Sequence, residues 1–319
     1  MAETATAPRT PDLTTRHLQE SDLPEADQIL RTAFNTFLGV PDLFGDKDYV
    51  GTRWRADPRA ALAAERDGRL VGTNFVTGWG SVGFFGPLSV RPELWDQGVA
   101  TRLMEATVAA LDERGARHTG LFTFPQSAKH LGLYDKFGFR PRFLTPVMVR
   151  PVGGTSDIGF GCYTTLAAGD RVGALDACRE LTDAVYDGLD VTREIRAVEE
   201  QGLGEVILLD DDHGLAAMAV CHLGPGTEAG TGGCYVKFGA ARPGAGADRR
   251  FAALLDACEA LAAGRGAGHV ELGVNTARHD AFSAVTGRGY RAVMVGVTMH
   301  RGADHGCSRP DVWLIDDWR

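Results

Sequence analysis

The chain has 319 residues, 44% hydrophobic and 24% charged, which is ordinary for a folded globular protein and long enough for two domains. Its formal net charge of −9 argues against a nucleic-acid partner, which needs a basic face. No apolar run approaches a membrane span, and no basic-then-apolar leader opens the chain.

Residues 1–14 are largely polar and contain two prolines, and they read as a mobile terminus. A first strand is expected at Thr15–Gln19. The run Ser21-Asp22-Leu23-Pro24-Glu25 then offers a cap, a first-turn proline and an acid, the signals of a helix start. Ile29, Leu30, Ala33, Phe34 and Phe37 share one side of that helix. A second helical piece comes next at Tyr49–Arg55. Ala60–Arg66 and Leu70–Gly78 flank Asp67-Gly68 and predict a hairpin. Further along lie a strand at Phe84–Val90, a helix after Gly98, a buried strand at Thr119–Phe124, a helix at Ala128–Phe137 and a strand at Phe139–Val149.

The junction Asp96-Gln97-Gly98-Val99-Ala100-Thr101 places small residues where a loop becomes a helix. The first N–H groups of a helix have no intrahelical partner and sit at the positive end of its dipole, so such a turn suits a phosphate group. The junction resembles the acyl-CoA signature of the GCN5-related N-acetyltransferases: Arg or Gln, two residues, Gly, one residue, then Gly or Ala. It falls here on Trp95 to Ala100, and Trp95 departs from the pattern at the first position. A second segment, Leu133-Tyr134-Asp135-Lys136-Phe137-Gly138-Phe139, is similar to the family's Leu-Tyr-x-Lys-x-Gly-Phe and lies one helix and one strand later.

After a Gly, Thr and Ser linker at Pro151–Ser156, the order of elements recurs. The expected pieces are a strand near Cys162, helices at Gly169–Val185 and Thr192–Gln201, strands at Glu205–Leu209, Leu215–Cys221 and Cys234–Ala240, a helix at Asp248–Ala263, a strand at Val270–Val274, a helix at Ala277–Thr286 and a strand at Tyr290–His300. The fold class predicted is α/β with a mixed sheet, in two tandem acetyltransferase-like folds. The first occupies 15–150, and the second occupies 157–303 with a docking tail at 304–319. Aligned on glycines, the second copy has Asp248 where the first has Ala100, and Val285 where the first has Tyr134. A carboxylate beside a pyrophosphate repels it, so the second copy reads as degenerate.

The resemblance implies acetyl-CoA as co-substrate and direct transfer to a primary amine, expected to be a small molecule. A non-catalytic acyl-CoA sensor and a protein acetyltransferase are the alternatives. By the same resemblance Leu88, Ser89 and Val90 pair with the pantetheine arm. Residues Trp95, Asp96, Gln97, Gly98, Val99, Ala100 and Thr101 form the phosphate cradle, Ser127 and His130 line the cofactor, and Tyr134 is the general acid. A phenol is suited to hand a proton to a departing thiolate. The tail mixes aromatics with acids and is expected to dock as a structural clasp; the sharper alternative is that Asp316, Asp317 or a terminal carboxylate enters the first cleft and holds or deprotonates the amine. The six cysteines all lie after residue 160 with no Cys-x-x-Cys pair, so no metal is expected. Neither a nucleic acid nor a membrane is expected as partner. The chain is expected to be cytoplasmic, as a monomer or homodimer.

Overall fold

A computed structural model describes residues 13–153 and 158–319. The N-terminal stretch 1–12 and residues 154–157, which include half of the linker expected at Pro151–Ser156, lie outside the described residues. The first half runs β1 (Leu13–His17), α1 (Leu23–Leu38), α2 (Tyr49–Ala56), β2 (Ala61–Arg66), β3 (Arg69–Trp79), β4 (Val82–Phe85), β5 (Ser89–Val90), α3 (Val99–Glu113), β6 (His118–Thr123), α4 (Ala128–Asp135) and β7 (Phe139–Pro151). The second half runs β8 (Gly161–Cys162), α5 (Ala168–Val185), α6 (Thr192–Gln201), β9 (Gly204–Asp211), β10 (Gly214–Gly224), β11 (Gly230–Ala241), α7 (Ala247–Gly264), β12 (His269–Gly273), α8 (His279–Gly287), β13 (Arg291–Arg301) and β14 (Leu314–Ile315). Element order recurs in outline, with β2–β5 before α3 against β9–β11 before α7 and β14 added at the end, and the fold is a mixed α/β architecture on a large mixed sheet.

Local signals act as expected at most ends. Pro24 stands in the first turn of α1, and Gly39 closes that helix in the left-handed region at φ +68°. Asp67 and Gly68 both have positive φ and turn β2 into β3. Two expectations are corrected. The first strand begins at Leu13, so residues 13 and 14 belong to the sheet rather than to a mobile terminus. The single strand expected at Phe84–Val90 is two. β4 pairs with β3 and β6, the chain breaks at Gly86-Pro87, and β5 pairs with a different part of β3.

The central strands are exchanged between the halves. Sheet order is β1-β2-β3-β4-β6-β13-β7-β12-β11-β10-β9-β8. Strand β13 of the second half thus lies between β6 and β7 of the first, while β7 lies between β13 and β12. The linker separates the halves in sequence, yet neither half of the sheet is completed without a strand from the other.

Packing has the same logic. One core cluster gathers Leu103, Met104, Leu111 and Phe139 under α3, and another gathers Phe251, Leu254, Leu255 and Val285 under α7 and α8. A third joins Trp79, Val82 and Phe84 of the first half to Leu181, Val198 and Phe238 of the second, with Trp318 from the final segment. Trp318 stacks on Phe84 with ring centroids 5.7 Å apart, and its ring lies against Gly120, where a β-carbon would meet it. The interface is an apolar core with a buried ionic chain beside it. Arg53 donates from Nε and Nη2 to Glu228 at 3.0 and 2.9 Å, Lys237 lies 2.9 Å from Glu228 and 3.1 Å from Glu194, and Trp79 Nε1 donates to Glu194 at 3.1 Å.

Candidate active site

Beyond the pair Phe85↔Leu121 the parallel strands β4 and β6 part. The next residues, Gly86 to Leu88 on one side and Phe122 to Phe124 on the other, line a cavity of about 950 Å³. Its roof is the α1 helix and the loop after it, through Phe34, Phe37, Phe44 and Lys47, with Tyr49 beyond. Its far wall comes from the second half, through Glu271 on β12, Val293 and Met294 on β13, and Trp318 and Arg319.

The junction opening α3 forms one part of the lining. Gly98 precedes the helix at φ +82°, and Asp96 is also left-handed at φ +64°. Alternating left-handed residues turn consecutive N–H groups toward one concavity, where the helix dipole adds positive potential. Arg102 N–H donates back to the Gly98 carbonyl at 3.0 Å, so the N–H groups of the first turn before it are free of helical bonds. Asp96, Gly98, Val99, Ala100 and Thr101 all face the cavity.

Trp95 has a structural reason for its departure from the motif. Its Nε1 donates to the Val90 carbonyl at 2.9 Å, tying the cradle to β5. A cation is supplied from α4 instead. Lys129 Nζ sits 5.4 Å above the Trp95 ring and 2.8 Å from Asp96 Oδ1. That ion pair is exposed on both sides and adds little stability, so the ammonium can turn to an anion in the cradle.

Tyr134 reaches the cavity from α4. Its ring is buried against Phe85 at 5.7 Å in an edge-on arrangement. Burial pushes its phenol up to about 12, with the Thr123 hydroxyl opposing that shift in part. The phenol therefore stays protonated across the neutral range. His130, one turn earlier, packs on Phe37 at 4.6 Å, and burial, then Lys129, lowers its pKa.

Not every expected residue faces this space. Leu88, Val90, Trp95, Ser127, His130 and Tyr134 line it, whereas Ser89 and Gln97 do not. Ser89 is buried on the β3 side, and Gln97 is held by Arg66 at 2.7 Å. Ser127 accepts from His130 N–H at 3.3 Å and so caps α4 while facing the cavity. Asp316 and Asp317 point elsewhere. Asp316 is clamped by Arg278 Nη2 at 3.1 and 3.0 Å, and Asp317 accepts from Tyr235 at 2.9 Å and pairs with Arg319 at 2.9 Å. The final segment does reach the cavity, but through Trp318 and Arg319.

Several residues here carry no recognisable local signal in the sequence. Glu271 lies in the middle of β12, paired with Arg319 at 2.8 Å and with Lys47 at 3.6 Å. Burial opposes its charge, but Arg319 and Lys47 outweigh it and lower its pKa, so it is ionised. Tyr49 and Lys47 open or precede a short helix, and along the chain they stand out only as part of it.

In the second half, Gly246 opens α7 at φ +82°, the same φ as Gly98. The Arg249 side chain folds across it, and Asp248 stands in the first turn. Val285 on α8 is fully buried.

Residues 24–139 match the family described as Acetyltransferase (GNAT) family. No curated protein matches the chain in sequence. Among solved structures, a putative acetyltransferase from Pyrococcus horikoshii is similar with a TM-score of 0.65 at 15% identity, covering 98% of this chain and 96% of that one. A GCN5-related N-acetyltransferase from Sphaerobacter thermophilus is similar at 0.60 and 16% identity, covering 93% and 98%. The glucosamine N-acetyltransferase region of a fungal multi-domain β-N-acetylglucosaminidase gives 0.64 at 13% identity, covering 93% of this chain and 39% of that one. At these identities the structures speak to fold. The family match makes residues 24–139 an acetyltransferase domain and the chain an acetyltransferase enzyme.

Proposed function

We propose that this enzyme transfers the acetyl group of acetyl-CoA directly to the primary amine of a small molecule. The observation that carries the reading is one continuous cavity lined both by the left-handed turn at Asp96 to Thr101 and by the buried Tyr134 phenol. The main-chain N–H groups of Gly98 to Thr101 receive the pyrophosphate, with Lys129 beside them. The parted strand end at Leu88 to Val90 receives the pantetheine arm and offers N–H groups to the thioester oxygen.

In the transfer a neutral amine attacks the thioester carbonyl, so a C–N bond forms and the C–S bond breaks. The Tyr134 O–H donates its proton to the departing sulfur. The proton released from the new ammonium leaves to water, and the Tyr134 phenolate regains a proton from water. An acyl-enzyme route gains no support from the lining. Among the described residues it holds no cysteine and a single serine, Ser127, already engaged as a helix cap.

The preference for a small acceptor comes from the second half, whose β12, β13 and final segment wall the acceptor end. That half is proposed to be a degenerate copy that shapes the acceptor site rather than binding a cofactor, with Asp248 and Arg249 occupying the turn that in the first half lies open. The test is release of free CoA thiol from acetyl-CoA with a panel of amines and a panel of lysine peptides. Turnover confined to peptides would favour protein acetylation, and absence of turnover with either would remove the transfer reading.

A further inference from the structure

The acceptor end of the cavity has a chemistry of its own. We propose that the acceptor is a primary amine on an aromatic or branched apolar body, and that Glu271 of the second half receives its ammonium head. This assignment rests on the acetyl-transfer reading of the same cavity.

Among the described residues, the only carboxylates lining the cavity are Asp96 and Glu271. Asp96 belongs to the cradle and is exposed, with its side chain 79% accessible, whereas the Glu271 side chain is 12% accessible. A buried anion facing an apolar space is the recognition element for a cation, because desolvation strengthens the attraction. Around it the walls are apolar, with Phe44, Phe122, Val147, Met294 and Trp318 among them. Such walls reward an apolar body and penalise a polar chain, whose groups would lose water without replacement.

The structure also contains an internal stand-in for the acceptor. Lys47, from the loop between α1 and α2, extends a primary ammonium on an alkyl stem into the same cavity, 3.6 Å from Glu271 Oε1. That separation is longer than a hydrogen bond, so the contact is electrostatic and loosely held. Arg319 approaches the same oxygen at 2.8 Å. Both cations sit against Oε1, a buried oxygen that no well-formed hydrogen bond engages among the described residues. An acceptor ammonium displacing Lys47 would preserve charge balance and make the hydrogen bond that Oε1 lacks. Because Glu271 is held ionised by its partners, it binds the cation rather than taking its proton; the bound ammonium gives that proton to water to become the attacking amine, and loss of Glu271 is expected in KM more than in kcat.

The experiment measures CoA release with 2-phenylethylamine, isoamylamine and ethanolamine for the wild type, Glu271→Gln and Lys47→Met, beside titration of each protein with CoA alone. The two apolar amines should exceed ethanolamine in kcat/KM by about 10-fold or more, since burying a hydroxyl unpaired is unfavourable. Glu271→Gln should raise their KM by about 10- to 100-fold, the worth of a charged hydrogen bond, with kcat nearly unchanged. Lys47→Met should lower KM, because the competing ammonium is gone. An unchanged KM in folded Glu271→Gln, or a preference for ethanolamine, overturns the proposal. If thermal melting shows Glu271→Gln unfolded, Lys47→Met decides, and a raised KM there overturns it. CoA binding without turnover of either apolar amine sinks the acceptor assignment alone, whereas failure to bind CoA sinks the transfer reading beneath it.

Discussion

Replacing Tyr134 by Phe removes one oxygen and leaves a ring of the same shape in place. The ring is 7% exposed and held edge-on by Phe85, so packing survives. The lost contact with the Thr123 hydroxyl is worth about 1 kcal/mol at most. Catalysis should suffer far more. A positioned general acid contributes roughly 10²- to 10⁴-fold, or about 3–5 kcal/mol of barrier. The phenol sits at about 12 because it is buried, and a thiolate released into the same apolar space is raised by the same desolvation, so the proton transfer remains matched. The expected result is a fall of about 100-fold or more in kcat with CoA affinity within about 3-fold of wild type. The same burial predicts that kcat of the native enzyme does not decline through Tyr134 ionisation below pH of about 11. Thiol release under saturating acetyl-CoA measures kcat, and titration with CoA measures the affinity. A folded Tyr134→Phe that keeps kcat within about 3-fold would show that the proton comes from elsewhere.

Gly98→Ala forces a β-carbon into a left-handed residue, costing about 1 kcal/mol and shifting the turn, so CoA affinity should drop by about 10-fold. Gly246→Ala, with the same φ, should leave CoA affinity unchanged, and equal losses would contradict a single cofactor site. Arg53→Met strands the fully buried Glu228 with only Lys237, a loss of about 3–5 kcal/mol seen as a fall in Tm of the order of 10 °C. Adding Glu228→Gln should restore much of it, and a double variant no better than the single would refute the argument. His118, His222 and His300 are buried, with no hydrogen-bond partner for either ring nitrogen among the described residues, and burial lowers them to about 4, 4 and 3. The unfolded chain then binds protons below about pH 6.5 that the native state refuses, so stability present above that pH is lost as pH falls toward 4, by about 2 kcal/mol for each group at pH 5. Urea unfolding at pH 7.5 and 5 checks this, and equal midpoints would contradict it.

The sequence by itself determined the parts that depend on neighbours along the chain. Pro24 and Gly39 bound α1, Asp67-Gly68 turns a hairpin, and Gly98 opens α3, because backbone conformations at those points are restricted by one or two residues. The turn before α3 and the placing of Tyr134 on α4 are legible for the same reason, being carried on one helix start and one short helix at fixed spacing. The break between β4 and β5 has no such signal, because apolar residues run through it and only pairing with β3 and β6 distinguishes the two pieces. The mixed aromatic and acidic character of the final segment predicts docking, yet which of its side chains enters the cavity depends on partners far away in sequence. Arg278 and Tyr235 claim Asp316 and Asp317, and Gly120 and Phe84 make the slot for Trp318. Only the tertiary structure could decide the exchange of β7 and β13 and the arrival of Glu271 opposite Lys47. Strand order and long-range charge pairing are set by the competition among all packed surfaces at once, and no local pattern encodes its outcome.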